Sequence, residues 1–277
     1  MCALAESHSD HVVFKGGTSL SKGWGLTQRF SEDIDLVVDV GTRGESARDS
    51  LLKAIAQDVA DICALPMARR DSEKGRHRSV AYEFEAVWAG GELIKPSVLL
   101  EMGTRSALNP VSERTLTTLL AAAVPEIAHE LPECRLLVLA AERTFVEKLF
   151  VIHGSVARYQ RDPDVSPLVR IGRHYYDVGK LLADPTVQTS VGTAEFWEMA
   201  RDHDHRGARE FSKRHVAPAD LNFASSPGLF PDPATRTLLE REYSRDRSLF
   251  FDDAPSLDDV LSALQSVRSR LTPYEAT

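Results

Sequence analysis

Two short patterns lie close together in "FKGGTSLSKGWGLTQRFSEDIDLVVDV", Phe14 to Val40. The first is the glycine pair and hydroxyl pair Gly16, Gly17, Thr18 and Ser19. The second is Asp33 and Asp35, separated by one residue. Without side chains at Gly16 and Gly17, backbone N–H groups can approach a triphosphate, and a helix starting there adds the positive end of its dipole. Thr18 and Ser19 offer hydroxyl donors and Lys22 a cation. Side chains alternate along a strand, so Asp33 and Asp35 point the same way, and like charges that close repel unless a cation lies between them. Magnesium is usually held by one or two carboxylates plus substrate phosphates. One pattern therefore cradles phosphate while the other holds the metal that neutralises it. Alone, a glycine pair is mostly a turn and D-x-D mostly a solvated strand end; their joint occurrence in this order carries the reading.

The surrounding residues predict the elements that position these groups. "HVVFKGG" reads as a short strand stopped by glycine, "TSLSKGWGL" as a brief helix capped by Thr18 or Ser19, and "DIDLVVDV" as a second strand. Leu51, Leu52, Ile55, Val59 and Ile62 recur at helical spacing within 43–65. "RRDSEKGRHR" reads as a charged connection, "SVAYEFEAVWAG" as a third strand, and "ELIKPSVLLEMGTRS" as a fourth, with Glu101 near its end. From Ala140 the pattern turns helical, in "ERTFVEKLFVIHGSVARYQ", "IGRHYYDVGKLLAD", "TAEFWEMARDHDHRGAREFSKRH" and "SLDDVLSALQSVRSRL". The fold class is α+β: a mixed first part, 1–125, and a mostly helical second part, 126–277, with the change somewhere in 107–140.

Composition narrows the classes further. The 277 residues are 43% hydrophobic and 27% charged, which excludes disorder as a description of the whole chain. With 33 basic and 41 acidic residues the net charge is -8, so any nucleic acid must be met by a local basic surface. The most apolar run, "LLVLAA" from Leu136, is far short of a membrane span, and the N-terminus has no signal-like pattern. A cytoplasmic protein is expected, its three scattered cysteines reduced.

The gapless stretch "KGGTSLSKGWGLTQRFSEDIDL" resembles the signature of the AbiEii-type nucleotidyltransferase toxins, found in abortive-infection and MenAT-like toxin–antitoxin pairs within the polymerase-beta-like nucleotidyltransferase superfamily. The resemblance implies a minimal nucleotidyltransferase sheet followed by a helical part that completes the active site. It also implies Mg²⁺-dependent transfer of a nucleoside monophosphate from an NTP, a tRNA or other RNA acceptor, and a cognate antitoxin. By that resemblance Gly16, Gly17, Thr18 and Ser19 bind phosphate while Asp33 and Asp35 bind metal. A third carboxylate is expected on a later strand; Glu101 is the candidate, with Asp39 and Glu85 as weaker rivals. Lys148 in "ERTFVEKL" and Asp177 in "RHYYDVGKLL" match the family's helical lysine and later aspartate. The apolar stripe Phe145, Val146, Leu149 and Phe150 leaves Lys148 off the buried face, and Asp177 can pair with Arg173 four residues earlier.

Phosphorylation of Ser31 would put roughly -1.5 to -2 charges beside the triphosphate site and inhibit it. "RRDSEKGRHR" and "HDHRGAREFSKRH" are candidate RNA surfaces, although such clusters are more often solvated; His203 and His205 form only a weak metal pattern. The alternatives are transfer to a protein or small molecule, and a non-catalytic NTP-binding module.

Overall fold

A computed structural model describes residues 1–31, 33–87, 96–251 and 253–273, apart from the side chains at 119 and 122. Its internal contacts divide the chain into two compact units. One comprises 1–25 and 31–140, the other 26–30 and 141–277.

The first unit is built on a seven-stranded mixed sheet. Its strands are β1 (Val12–Lys15), β2 (Asp33–Val38), β3 (Met67–Glu73), β4 (His77–Glu83), β5 (Ser97–Gly103), β6 (Val111–Leu116) and β7 (Cys134–Leu139), in the order β3-β4-β5-β2-β1-β7-β6. Branched apolar residues favour the central strands, and alternation divides their side chains between the two faces. Phe14, Leu36, Val38, Leu100, Met102 and Val138 point to one face. There they pack with Leu4 of α1 (Cys2–His8) and with Leu52, Ile55 and Ala56 of α3 (Glu45–Cys63). Residues of the other parity, Val13, Val37 and Leu139, form a small cluster on the opposite face. That face carries the polar residues described below.

Between β1 and β2 runs α2 (Gly16–Lys22), with Lys15 as its N-cap. The glycines therefore form the first turn of the helix, and neither Thr18 nor Ser19 caps it, contrary to the expectation from sequence. The stretch read as a charged connection, 69–78, is also different. It holds most of β3, a turn, and the start of β4, a hairpin with a register shift between Arg69 and Asp71. β3 and β6 are the sheet edges, and α4 (Leu119–Ala123) follows β6. Of the strands read at 79–90 and 92–106, residues 88–95 lie outside the described set.

The second unit is helical: α5 (Ala141–Arg161), α6 (Gly172–Ala183), α7 (Pro185–Ser190), α8 (Ala194–Glu210), α9 (Pro233–Asp246) and α10 (Leu257–Val267). α5 is buried on most of its circumference, through Phe145, Val146, Leu149, Phe150, Ile152 and Val156 but also Arg143, Lys148 and His153. Residues 26–30 belong to this unit. The Phe30 N–H donates to Leu249 O at 2.7 Å, Phe251 N–H to Gln28 O at 2.8 Å, and Gln28 N–H to the Tyr176 hydroxyl at 2.9 Å.

Candidate active site

In the first unit, strand register gathers the polar residues. Asp35 on β2 pairs with Lys15 on antiparallel β1 and with Glu101 on parallel β5, and Glu101 pairs in turn with Ser79 on β4. Paired residues of neighbouring strands point to the same face, so Lys15, Asp35, Glu101 and Ser79 make one row across the sheet, with Asp33 two residues along β2. The row lies on the face away from α1 and α3. Gly16 is fitted against it. Its φ is +77°, and a Cβ there would stand 2.1 Å from Asp35 Oδ2, so a glycine is required both by the left-handed backbone and by the adjacent carboxylate. The Thr18 hydroxyl donates to Asp33 O at 2.6 Å, which ties α2 to the strand of the aspartates. Ser19 is fully buried and its hydroxyl donates to Gly16 O at 2.8 Å. Lys22, in the last turn of α2, is half-buried, and desolvation lowers its ammonium pKa.

In the helical unit a second group forms around Asp177. Arg29 grips it through two hydrogen bonds, Nε to Oδ1 at 2.6 Å and a terminal nitrogen to Oδ2 at 2.9 Å. Lys148 Nζ lies 2.9 Å from the same Oδ2 and 3.2 Å from His174 Nδ1. The side chains of Arg29, Lys148 and Asp177 are 2%, 10% and 0% exposed. Burial alone would raise the Asp177 carboxyl; the two adjacent cations outweigh it and hold the group far below the usual carboxylate range. Burial lowers the Lys148 ammonium, and Asp177 opposes that shift. For His174, burial, then Lys148 and Arg173, keep the imidazole neutral to well below its ordinary pKa.

Sequence periodicity placed Lys148 off the buried face, but it is buried, because α5 is enclosed by other helices rather than lying on one surface. Asp177 pairs with Arg29 and Lys148 instead of the local Arg173. Arg29, His174 and Lys15 were missed. His174 shares a helical face with Asp177 at i, i+3, a usable signal; Arg29 has no local signal, since 148 positions separate it from its partner. Among the carboxylates weighed for the row, Asp39 is exposed and accepts from Gly41 N–H, and Glu85 is an exposed residue beyond β4. Only Glu101 aligns with Asp35.

Carboxylates neutralise most of the first basic cluster: Arg70 with Glu83, Lys74 with Glu45, Arg76 with Glu73 and Arg78 with Asp49. In the second, Arg206 pairs with Asp202 and Arg209 with Glu210. His203 lies tilted against Phe150, ring centroids 4.5 Å apart, and His205 is exposed. Among the described residues no three His, Cys, Asp or Glu side chains converge as a ready metal site. The donors in the row are hard oxygens on adjacent strands, with a glycine opposite, and such a set suits a divalent ion completed by substrate phosphates.

A mixed sheet presenting a helix-opening glycine turn against a row of carboxylates is the layout of a nucleotidyltransferase. The chain belongs to the AbiEii family: the family model "Nucleotidyl transferase AbiEii toxin, Type IV TA system" matches residues 1–265. Membership implies a nucleotidyltransferase toxin of a type IV toxin–antitoxin system, with an NTP as substrate and an antitoxin as partner. No curated protein matches the chain. Among the described residues no helix is long and apolar enough to cross a membrane.

Proposed function

We propose that this protein is a Mg²⁺-dependent, cytoplasmic toxin that transfers a nucleoside monophosphate from an NTP to the 3′ end of tRNA and so blocks translation. The observation that carries the reading is the row Lys15, Asp35, Glu101 with Gly16 packed against Asp35. In this reading the first unit is the transferase core, and the helical unit supplies Lys148 and Asp177, which the activity also requires.

Asp33, Asp35 and Glu101 would hold Mg²⁺, which supplies charge neutralisation of the triphosphate and acidifies an attacking hydroxyl. Gly16 and Gly17 present backbone N–H groups to phosphate. The hydroxyls of Thr18 and Ser19 are engaged with backbone oxygens, so Thr18 contributes through its own N–H group in the first turn and the buried Ser19 by shaping that turn. Lys22 adds positive charge for the leaving pyrophosphate. The acceptor oxygen bonds to the α-phosphorus as the bond to the β-phosphate oxygen breaks, and pyrophosphate leaves with that electron pair. Positioning and electrostatics do most of the work in such transfers.

The test is incorporation of label from each of the four NTPs, with Mg²⁺, into total bacterial tRNA. Label on RNA from one preferred NTP, lost in Asp33→Ala at unchanged melting temperature, is the expected result. Removing one of two clustered carboxylates relieves repulsion, so the variant should fold. The pairing of most of the first basic cluster with carboxylates favours a second reading, an acceptor that is a protein or small molecule; label on protein and none on RNA would select it. An NTP bound without any transfer would point to a binding module.

A further inference from the structure

A lysine ammonium has three N–H donors and no acceptor. At Lys148 the near partners are Asp177 Oδ2 at 2.9 Å and His174 Nδ1 at 3.2 Å. Because Nζ can only donate, Nδ1 must be the bare ring nitrogen, and the imidazole proton sits on Nε2. Both acceptors come from one face of α6, three residues apart. Asp177 alone could not fix the direction of the ammonium, since its Oδ2 is shared with Arg29 and the lysine chain is flexible. Two acceptors define where the third N–H points.

We propose that His174 is a positioning residue: by accepting a hydrogen bond from Lys148 through Nδ1, it fixes the direction of the ammonium of Lys148, the lysine that the proposed transfer requires. This role rests on the transferase reading above. Lys148 on α5, Arg29 from 26–30, and Arg173 and Asp177 on α6 itself are the charged groups around the ring. Asp246 of α9 holds the backbone N–H of Arg173 at 3.0 Å. All but the two aspartates are cations, and these add to the larger effect of burial, so the ring stays neutral until the pH falls well below the ordinary histidine range. Protonation then replaces the acceptor with a donor, and Lys148 loses its aim.

The experiment compares the full-length wild type with His174→Ala and His174→Asn. An asparagine Oδ1 can stand where Nδ1 stands and accept the same bond without titrating. His174→Ala should lower kcat on the order of 10²-fold, as misplacement of a catalytic group does, and raise KM for the NTP much less. His174→Asn should recover most of that loss and lack the acid limb of the wild-type pH profile. Independently of turnover, a ¹⁵N spectrum of the wild-type imidazole near neutral pH should show Nδ1 as the unprotonated nitrogen. Full activity of His174→Ala, a titrating His174→Asn, or a proton on Nδ1 would each overturn the proposal. If the variants fail to fold, the nitrogen spectrum of the wild type decides. A wild type inert with every NTP would instead sink the transferase reading and the catalytic role with it, while the spectrum still tests the Lys148–His174 bond.

Discussion

Asp177 keeps its negative charge with none of its side chain exposed, because Arg29 and Lys148 both reach it. Replacing it with alanine strands two buried cations, so Asp177→Ala should destabilise the helical unit by about 3–5 kcal/mol in chemical denaturation. The same carboxyl makes stability depend on pH. Its folded pKa lies below its unfolded one, so the unfolded chain binds more protons in acid. The stabilisation is fully present above the ordinary carboxyl range, about pH 4, and drains away as the pH falls below it. Denaturation midpoints of the wild type should drop more steeply there than those of Asp177→Asn. Gly16 sets a different constraint. Gly16→Ala combines a positive φ with a 2.1 Å clash against Asp35, so it should cost about 1–3 kcal/mol and, by displacing that carboxylate, most of the label transfer.

Among the elements, α10 shows how local sequence can fix a boundary. Ser256 accepts from Asp259 N–H at 3.1 Å, and Asp259 accepts from Ser256 N–H at 2.9 Å, a reciprocal cap ahead of the buried Leu257, Val260 and Leu264. Ser256→Ala should lower stability by about 1 kcal/mol, read as a shift in the denaturation midpoint. This helix, like β1, β2 and α3, was legible because its apolar period and its stop signals agree. β3 was not, since an edge strand with "ARRDSE" in its ladder looks like a loop, and its charges suit an edge that must not recruit other chains. β7 needed a partner that sequence alone does not reveal: it pairs in parallel with β1, Val13 against Leu137, more than a hundred positions apart. The site divides along the same line. Gly16, Asp33 and Asp35 are neighbours in sequence and could be read together. Glu101, a candidate from sequence, is brought into register with Asp35 only by the pairing of β2 and β5, and the contacts of Arg29 and His174 appear only when distant segments assemble.

At the scale of the whole molecule the chain enters the helical unit at Leu26, leaves it after Phe30, and enters it again at Ala141. A single cut between Ala140 and Ala141 should therefore leave the two fragments eluting together, because residues 26–30 remain seated among Tyr176, Asp177 and Leu249–Phe251. Size-exclusion chromatography of a chain carrying an engineered protease site there checks this. Separation under native conditions would contradict the packing. The same excursion has a meaning for synthesis. Arg29 leaves the ribosome early but finds Asp177 only 148 positions later, and Phe30 waits for Leu249. A nascent chain thus carries the glycine turn and both aspartates long before the Lys148–Asp177 cluster can close. For a protein proposed to act on tRNA, the order of synthesis keeps the cluster open until Asp177 has been made, well after the glycine turn and both aspartates.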